Sequence, residues 1–157
     1  MTTASERLAA LGLELPPVPA PVAAYIPAIR VGDQIWTSGQ LPTRDGKVLE
    51  TGIVGRQVSP EVATDMARLA ALNALAAAAE VAGGLDKIRR VVKVVVYVAS
   101  DPAFVAQPQV ANGASKLLGE VIGSSHVRSA VGVAVLPLNA PVEVEIVVEA
   151  VVEPFSA

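Results

Sequence analysis

Cysteine is absent from this 157-residue chain, and histidine occurs once, at His126. Without cysteine there are no disulfides, no thiolate metal ligands and no cysteine nucleophile. A single histidine excludes a metal site built from several histidines. A Ser-His-Asp triad would have to use His126, and the sequence has no nucleophile-elbow motif. We therefore expect no metal site of these ligand types and no cysteine or triad nucleophile.

Aromatic residues, basic runs and long apolar runs are scarce as well. Aromatic residues make up 3% of the chain and the net charge is −3. No basic or basic-aromatic stripe is present, which disfavours general nucleic-acid binding. No apolar run reaches the roughly 18 residues that a membrane span needs, and the N-terminus lacks the pattern of a signal peptide. We therefore expect a cytoplasmic protein without nucleic-acid or membrane partners.

Apolar residues are abundant, at 52% of the chain, and most are valine, alanine or leucine. This content supports one domain with a substantial core. A short helical pattern from Ser5 to Leu13, with Ser5 as its cap, is followed by prolines at 16, 17, 19 and 21 that force an extended path. We expect residues 1–24 to be a proline-rich N-terminal extension and residues 25–157 to be a single domain.

The domain is predicted to contain elements in the order β-β-α-β-α-β-β. The first helix is the best marked, because Ser59 and Pro60 are typical of a helix start and Gly83-Gly84 of a helix end. The pattern predicts an α+β fold with two helices on one face of a sheet. Strands are predicted at residues 25–31, 34–38, 88–99, 128–135 and 142–146. A polar loop is predicted at 43–47. A second helix is predicted to start at Asp101-Pro102, to restart at Pro108 and to end near Ile122.

The strand around residues 91–98 predicts an oligomer. Its residues are mostly apolar on both faces. Two helices can cover only one face of the sheet, and a strand that is apolar on both faces needs cover on both. We therefore expect the second face to be buried against other copies of the chain.

The last two strands carry the strongest functional signal. Each alternates bulky apolar residues with small or charged residues, and successive side chains of a strand point to opposite faces. The valines, including Val131, Val133 and Val135, are expected to face the core. The opposite face is expected to hold Arg128, Glu143 and Glu145 beside a trough of small residues at Ala130, Gly132 and Ala134. A cation and carboxylates around free space predict a site for a small anion.

These segments together resemble the Rid family, the reactive intermediate deaminases, also called YjgF or L-PSP endoribonuclease-like proteins. The resemblance covers about residues 22–152. The sequence differs from the best-known members at Ala130, where many have cysteine, and at Gly132, where many have glutamate. The resembling segments are Gly32–Pro42, Val96–Val98, Val110–Asn112 and Arg128–Glu145.

The resemblance implies a chorismate-mutase-like fold with a mixed sheet, in a homotrimer whose sheets pack into a barrel. It also implies ligand sites in clefts between subunits and hydrolysis of 2-imino acids to 2-keto acids and ammonia without a cofactor. Arg128 would bind the substrate carboxylate, since its planar guanidinium can do so bidentately. The resemblance places Tyr25 and the catalytic candidate Asn112 in the cleft, and Glu143 near the attacking water. Gly39 would allow close approach of the backbone to the ligand.

Each of these residues also has a structural explanation. Arg128 could be an exposed arginine at a strand end or, like Glu143, part of an ion pair at a subunit boundary. Asn112 could be an ordinary asparagine on the helix surface or bonded to the helix. Tyr25 could pack after the proline segment, and Gly39 could form a turn. His126 is interpreted as a solvated loop histidine. Two functions stay open besides the hydrolase: a non-catalytic trimeric binding module for small carboxylate metabolites, and a nuclease, which the lack of a basic groove disfavours.

Overall fold

The computed structural model describes residues 1–18 and 24–154. Part of the predicted extended proline segment, Pro19 and Pro21, lies outside the described residues. Short 3-10 turns occur at Leu85–Lys87 and Pro137–Asn139. The main elements are α1 (Ala4–Ala10), β1 (Ala28–Val31), β2 (Gln34–Thr37), β3 (Thr43–Arg44), β4 (Lys47–Val48), α2 (Pro60–Ala82), β5 (Ile88–Ala99), α3 (Gln107–Ile122), β6 (Val127–Val133) and β7 (Val142–Ala150).

Five strands form a mixed sheet in the order β1-β2-β7-β5-β6. Strands β5 and β6 are parallel, and the other neighbouring pairs are antiparallel. Helix α2 packs on β7 and on α3, and α3 also packs on β5 and β6. The mixed α+β fold is therefore confirmed. The described residues contain three α-helices: the two expected in the domain, and one in the N-terminal segment where a short helical pattern was predicted.

Helix α2 follows the sequence prediction closely. The Ser59 hydroxyl accepts a hydrogen bond from the backbone N–H of Val62 at 3.2 Å, and Pro60 begins the helix. The helix ends at Gly83, whose φ of 86° is left-handed and favours glycine. Most of its buried positions are alanines. Small side chains let the helix lie close to the sheet and to α3.

Two local predictions were wrong. The residues after Asp101 form a turn rather than a helix, because the Asp101 carboxylate accepts a hydrogen bond from the N–H of Ala103 at 2.8 Å and pairs with Arg56. Such an aspartate turn competes with helix formation. The predicted polar loop at 43–47 is instead the β3–β4 hairpin, which turns at Asp45 and Gly46.

The N-terminal helix α1 packs into the same core as the rest of the domain. Thr3, not Ser5, caps it, and Leu8 is 5% exposed within the core cluster. The Arg7 guanidinium donates to the carbonyls of Val121 at 2.7 Å and Ile122 at 3.2 Å, the last residues of α3. These bonds satisfy carbonyls that have no partner within the helix. The division into an extension and a domain at residue 24 stays a prediction.

The two faces of the sheet differ in cover. Val94, Val96 and Val98 of β5 are fully buried under the helices, together with the alternate apolar residues of β7. On the opposite face, Tyr97, Glu143 and Glu145 are only half-buried. No helix within residues 1–18 and 24–154 covers this face, which we call the open face. Its burial in a trimeric barrel stays a prediction.

The orientation predicted for β6 was wrong. Val131 is 43% exposed and Val135 is 69% exposed, so they do not face the core. The parallel register places Arg128 beside Val94, Ala130 beside Val96 and Gly132 beside Val98. Because paired residues share a face, the small side chains lie on the helix-covered face and Val131 lies on the open face.

Candidate functional site

Arg128 is at the centre of a polar cluster between the edge strand β6 and helix α3. Its Nη1 donates to Asn112 Oδ1 at 2.7 Å and to Ser115 Oγ at 3.2 Å. Asn112 and Ser115 are three residues apart on α3, and this spacing puts two side chains on one helix face. The structure thus brings together Arg128 and Asn112, two of the residues singled out in the sequence.

His126 joins this cluster, contrary to the expectation of a solvated loop residue. Its Nε2 lies 2.9 Å from Ser115 Oγ, and its Nδ1 is buried without a partner among the described residues. Partial burial lowers the pKa of His126, and the positive charge of Arg128 lowers it further. One sequence signal was available, since His126 stands two residues before Arg128 and residues with that spacing share a strand face.

One edge of the Arg128 guanidinium faces no protein partner in the described part of the chain. A guanidinium has five N–H donors, two of them on Nη1, and the two bonds to Asn112 and Ser115 use Nη1. No ion pair of Arg128 occurs within residues 1–18 and 24–154. Nε and Nη2 therefore remain as a side-on fork that matches the two oxygens of a carboxylate.

Glu143 lies in a second cluster, on the open face. A Cβ at position 39 would collide with the Glu143 carboxylate, so any side chain there would have to displace that carboxylate. Partial burial raises the pKa of Glu143, and the neighbouring charge of Glu145 raises it further. The Tyr97 hydroxyl donates to Glu145 Oε1 at 2.8 Å, and this bond is the largest cause of a raised Tyr97 pKa. Gly39 thus makes room for a carboxylate of the chain itself.

Tyr25 lies just before β1 and is 64% exposed. Pairing between β1 and β2 continues beyond the strands, since the N–H of Ser38 donates to the Pro27 carbonyl at 2.7 Å and its hydroxyl donates to the Ile26 carbonyl at 2.6 Å. These bonds hold the segment that contains Tyr25 beside the strand end that contains Gly39. The exposed ring is available for contact with a ligand or another copy.

Arg128 and Glu143 do not come together within one protomer, so the prediction that they share a face was wrong. Arg128 pairs with Val94 of β5, whereas Glu143 pairs with Tyr97. Val94 faces the helices and Tyr97 faces the opposite side, because they are an odd number of residues apart. A chain therefore carries two separate clusters, Arg128 with Asn112 and Glu143 with Gly39, which we call half-sites because the sequence prediction assigned them to one site.

The predicted trough beside Arg128 is partly filled. A Cβ at position 132 would come within 2.8 Å of both Gln107 Nε2 and Ser100 Oγ. The Gln107 amide donates to the Phe104 carbonyl at 2.8 Å and to Ser100 Oγ at 3.2 Å. Ala130 packs against the core. Gly132 is thus explained by the amide packed beside it.

A cavity among the described residues lies elsewhere in the fold. It has a volume of about 820 Å³ and lies between the N-terminal segment, the β3–β4 hairpin and α2. None of the five residues proposed from the sequence lines it. Among residues 1–18 and 24–154, no helix has the length and apolar content needed to cross a membrane.

Residues 5–150 match the family described as "YjgF/chorismate mutase-like, putative endoribonuclease". The chain belongs to this family, which confirms the resemblance seen in the sequence. The match begins at residue 5, so it includes α1 and extends beyond the predicted start near residue 22.

Three known proteins illustrate the relationship. Protein TCP17 of Trypanosoma cruzi is 42% identical over 153 residues, which are 93% of this chain and 96% of that protein. The crystal structure of Atu1372 from Agrobacterium tumefaciens, a protein of unknown function, is 46% identical with a TM-score of 0.85 and covers 94% of this chain and 92% of its own. Escherichia coli TdcF, solved with bound serine, shares the fold at 22% identity and a TM-score of 0.63, covering 85% of this chain and 94% of its own.

Proposed function

We propose that the chain hydrolyses small 2-imino acids to 2-keto acids and ammonia, in clefts between copies of a homotrimer and without a cofactor. One observation carries the proposal: the Nε and Nη2 edge of Arg128 faces no described partner, while Nη1 is held by Asn112 and Ser115. A fixed guanidinium with a free fork suits a substrate carboxylate. Family membership supports the same class of reaction.

The cleft would need two copies of the chain. Arg128 and Glu143 belong to opposite faces of one sheet, so a substrate that contacts both has to lie between protomers. The open face has no helical cover among the described residues and carries exposed apolar side chains, among them Trp36 and Val131. Burial of such a face favours association. The half-site at Glu143 would then meet the half-site at Arg128 of a neighbour.

Hydrolysis would proceed by attack of water on the C=N carbon. Arg128 would fix the carboxylate, so that water meets this carbon along one path. Glu143 would take a proton from the water, and its raised pKa brings it closer to neutral pH, where a general base is most effective. Glu143 would return this proton to the nitrogen as the carbinolamine forms. Transfer of the carbinolamine's hydroxyl proton to the same nitrogen would then release ammonia and leave the ketone. Asn112 would hold Arg128 through Oδ1 and keep its Nδ2 for a ligand or water.

A non-catalytic carboxylate-binding module is the second candidate. Glycine at position 132 favours it, because many family members carry a glutamate there and the neighbouring space is filled by Gln107. Such a module would bind 2-oxobutyrate through Arg128 without accelerating any hydrolysis. The proposed roles of Arg128 and Asn112 are the same in both cases.

The test measures release of 2-oxobutyrate from 2-iminobutanoate generated in place by a threonine dehydratase. We expect the wild-type chain to accelerate release and Arg128→Ala to abolish the acceleration. Arg44→Ala removes an exposed arginine on β3, which does not belong to the sheet that contains β6. It is the matched control and should behave as wild type. Binding of 2-oxobutyrate or serine without acceleration would replace the hydrolase by the binding module. Absence of both would refute the proposed site.

A further inference from the structure

We infer that Ser115 and His126 form a positioning pair, in which His126 fixes Ser115 and Ser115 fixes Arg128 in the orientation that binds a carboxylate. This inference rests on the proposed ligand role of Arg128. Neither residue is among those that the family resemblance assigns to the site.

Ser115 Oγ is the shared atom of the pair. It lies 3.2 Å from Arg128 Nη1 and 2.9 Å from His126 Nε2. Arginine can only donate, so the serine oxygen accepts from Nη1. A hydroxyl also has one hydrogen and a second lone pair, and either can serve Nε2 of an uncharged imidazole. The serine can therefore hold both neighbours at once.

The side chain of an arginine is costly to order, because it has several freely rotating bonds. A ligand that had to order Arg128 itself would bind more weakly than a ligand that finds it already ordered. Asn112 supplies one bond to Nη1 at 2.7 Å, and Ser115 supplies the second. With both hydrogens of Nη1 engaged by α3, Nε and Nη2 remain for a ligand.

The environment of His126 supports an uncharged ring. The ring is partly buried beside Arg128, and both conditions lower the pKa of the imidazole. A second cation next to Arg128 would repel it and would leave a buried Nδ1–H without an acceptor among the described residues. An uncharged His126 with its proton on Nε2 avoids both penalties and donates that proton to Ser115 Oγ.

Calorimetric titration of 2-oxobutyrate into the assembled protein tests the pair through a double-mutant cycle. Ser115→Ala and His126→Ala should each weaken binding by about 3- to 10-fold, the size of a lost hydrogen bond. The double variant should bind about as weakly as Ser115→Ala alone, because His126 acts through Ser115. Ser115→Thr and His126→Gln keep a hydroxyl and a donor, and should recover most of the affinity. Ser125→Ala, at a nearby exposed serine, is the control and should bind as wild type.

A second readout uses the fact that His126 is the only histidine. Its ring signals in an NMR titration are therefore unambiguous. A carboxylate on Arg128 would offset the positive charge that lowers the pKa of His126. Saturating 2-oxobutyrate should therefore raise that pKa in the wild-type protein.

The outcomes separate this inference from the proposed function. If the wild type binds 2-oxobutyrate and Ser115→Ala binds it equally well, the positioning pair is refuted and the role of Arg128 stands. Additive losses in the double variant would also refute the pair, because His126 would then act independently. If the Ser115 and His126 variants have a lower Tm but an unchanged affinity for 2-oxobutyrate, both residues are merely structural and the positioning pair is refuted. If the wild type binds no 2-oxobutyrate, both proposals fail.

Discussion

Arg128 and Glu143 lie on opposite faces of the same sheet, on the two strands that flank β5. Arg128 pairs with Val94 and Glu143 pairs with Tyr97. Within one chain the sheet lies between the two groups. If they act on one substrate, as we propose, they must come from different copies of the chain. Assembly and activity would then be inseparable.

Replacement of Gly39 by alanine should displace the Glu143 carboxylate, because the added Cβ would occupy its position. We expect turnover to fall by about 10- to 100-fold, the effect of a misplaced catalytic group. Binding of 2-oxobutyrate should persist, since Arg128 is unchanged. Gly119→Ala is the control, as a Cβ there meets no neighbouring atom within 4 Å. Normal turnover in Gly39→Ala would show that the position of Glu143 does not matter.

Replacement of Glu143 by glutamine should raise the Tm at pH 7.5 and leave it nearly unchanged at pH 4. Burial and Glu145 raise the pKa of Glu143 in the folded chain. A carboxyl group whose pKa is higher in the folded than in the unfolded chain stabilises the fold at pH values below its unfolded pKa. This stabilisation is lost as the pH rises through the folded pKa, because the group then becomes charged in an environment that disfavours the charge. Thermal denaturation at the two pH values checks the sign. A lower Tm for Glu143→Gln at pH 7.5 would mean that the charged form has a partner.

A charge placed on the open face should prevent assembly. Val95 is half-buried on β5, opposite Glu145 on the open face, and Val95→Asp would bury an unpaired carboxylate in the expected interface. Light scattering should change from a trimer for the wild type to a monomer for this variant. Val105→Asp introduces the same charge at an 82% exposed loop position and should remain trimeric. A wild type that is monomeric at micromolar concentration would refute the oligomer.

Truncation of Leu8 tests whether α1 belongs to the fold. Leu8→Ala should cost about 2 to 3 kcal/mol in the free energy of unfolding, since its side chain is buried in the core. Leu11→Ala, at a position that is 38% exposed, should cost no more than about 0.5 kcal/mol. Denaturant titration of both variants gives the comparison. Equal, small effects would favour the separate N-terminal extension predicted from the sequence.

The sequence predicted most of the elements that carry local signals. Ser59, Pro60 and Gly83 mark the ends of α2 through capping and backbone conformation, which depend on neighbouring residues alone. The bounds of β5 were also predicted, because a long valine-rich run admits few alternatives. The docking of α1 was missed, since the burial of Leu8 depends on residues far along the chain.

The candidate site was predicted only in part. We expected Arg128 and Asn112 to lie in the same site. We predicted wrongly which face of β6 packs against the helices. Alternation shows that two faces differ, and it does not tell which face meets the helices. The parallel register with β5 decides this, and register between distant strands has no local signal. Contact between His126 and Ser115 depends on the same register and was missed for the same reason.

The most direct test of the central claim mixes two inactive variants. Arg128→Ala and Glu143→Gln are each expected to lack turnover of 2-iminobutanoate. After they are unfolded together and reassembled at equal amounts, about one quarter of the clefts should combine an intact Arg128 from one chain with an intact Glu143 from another. Our account predicts that activity returns to about this fraction of the wild-type level. No recovery in mixed trimers, with both parent variants inactive, would contradict a site shared between copies.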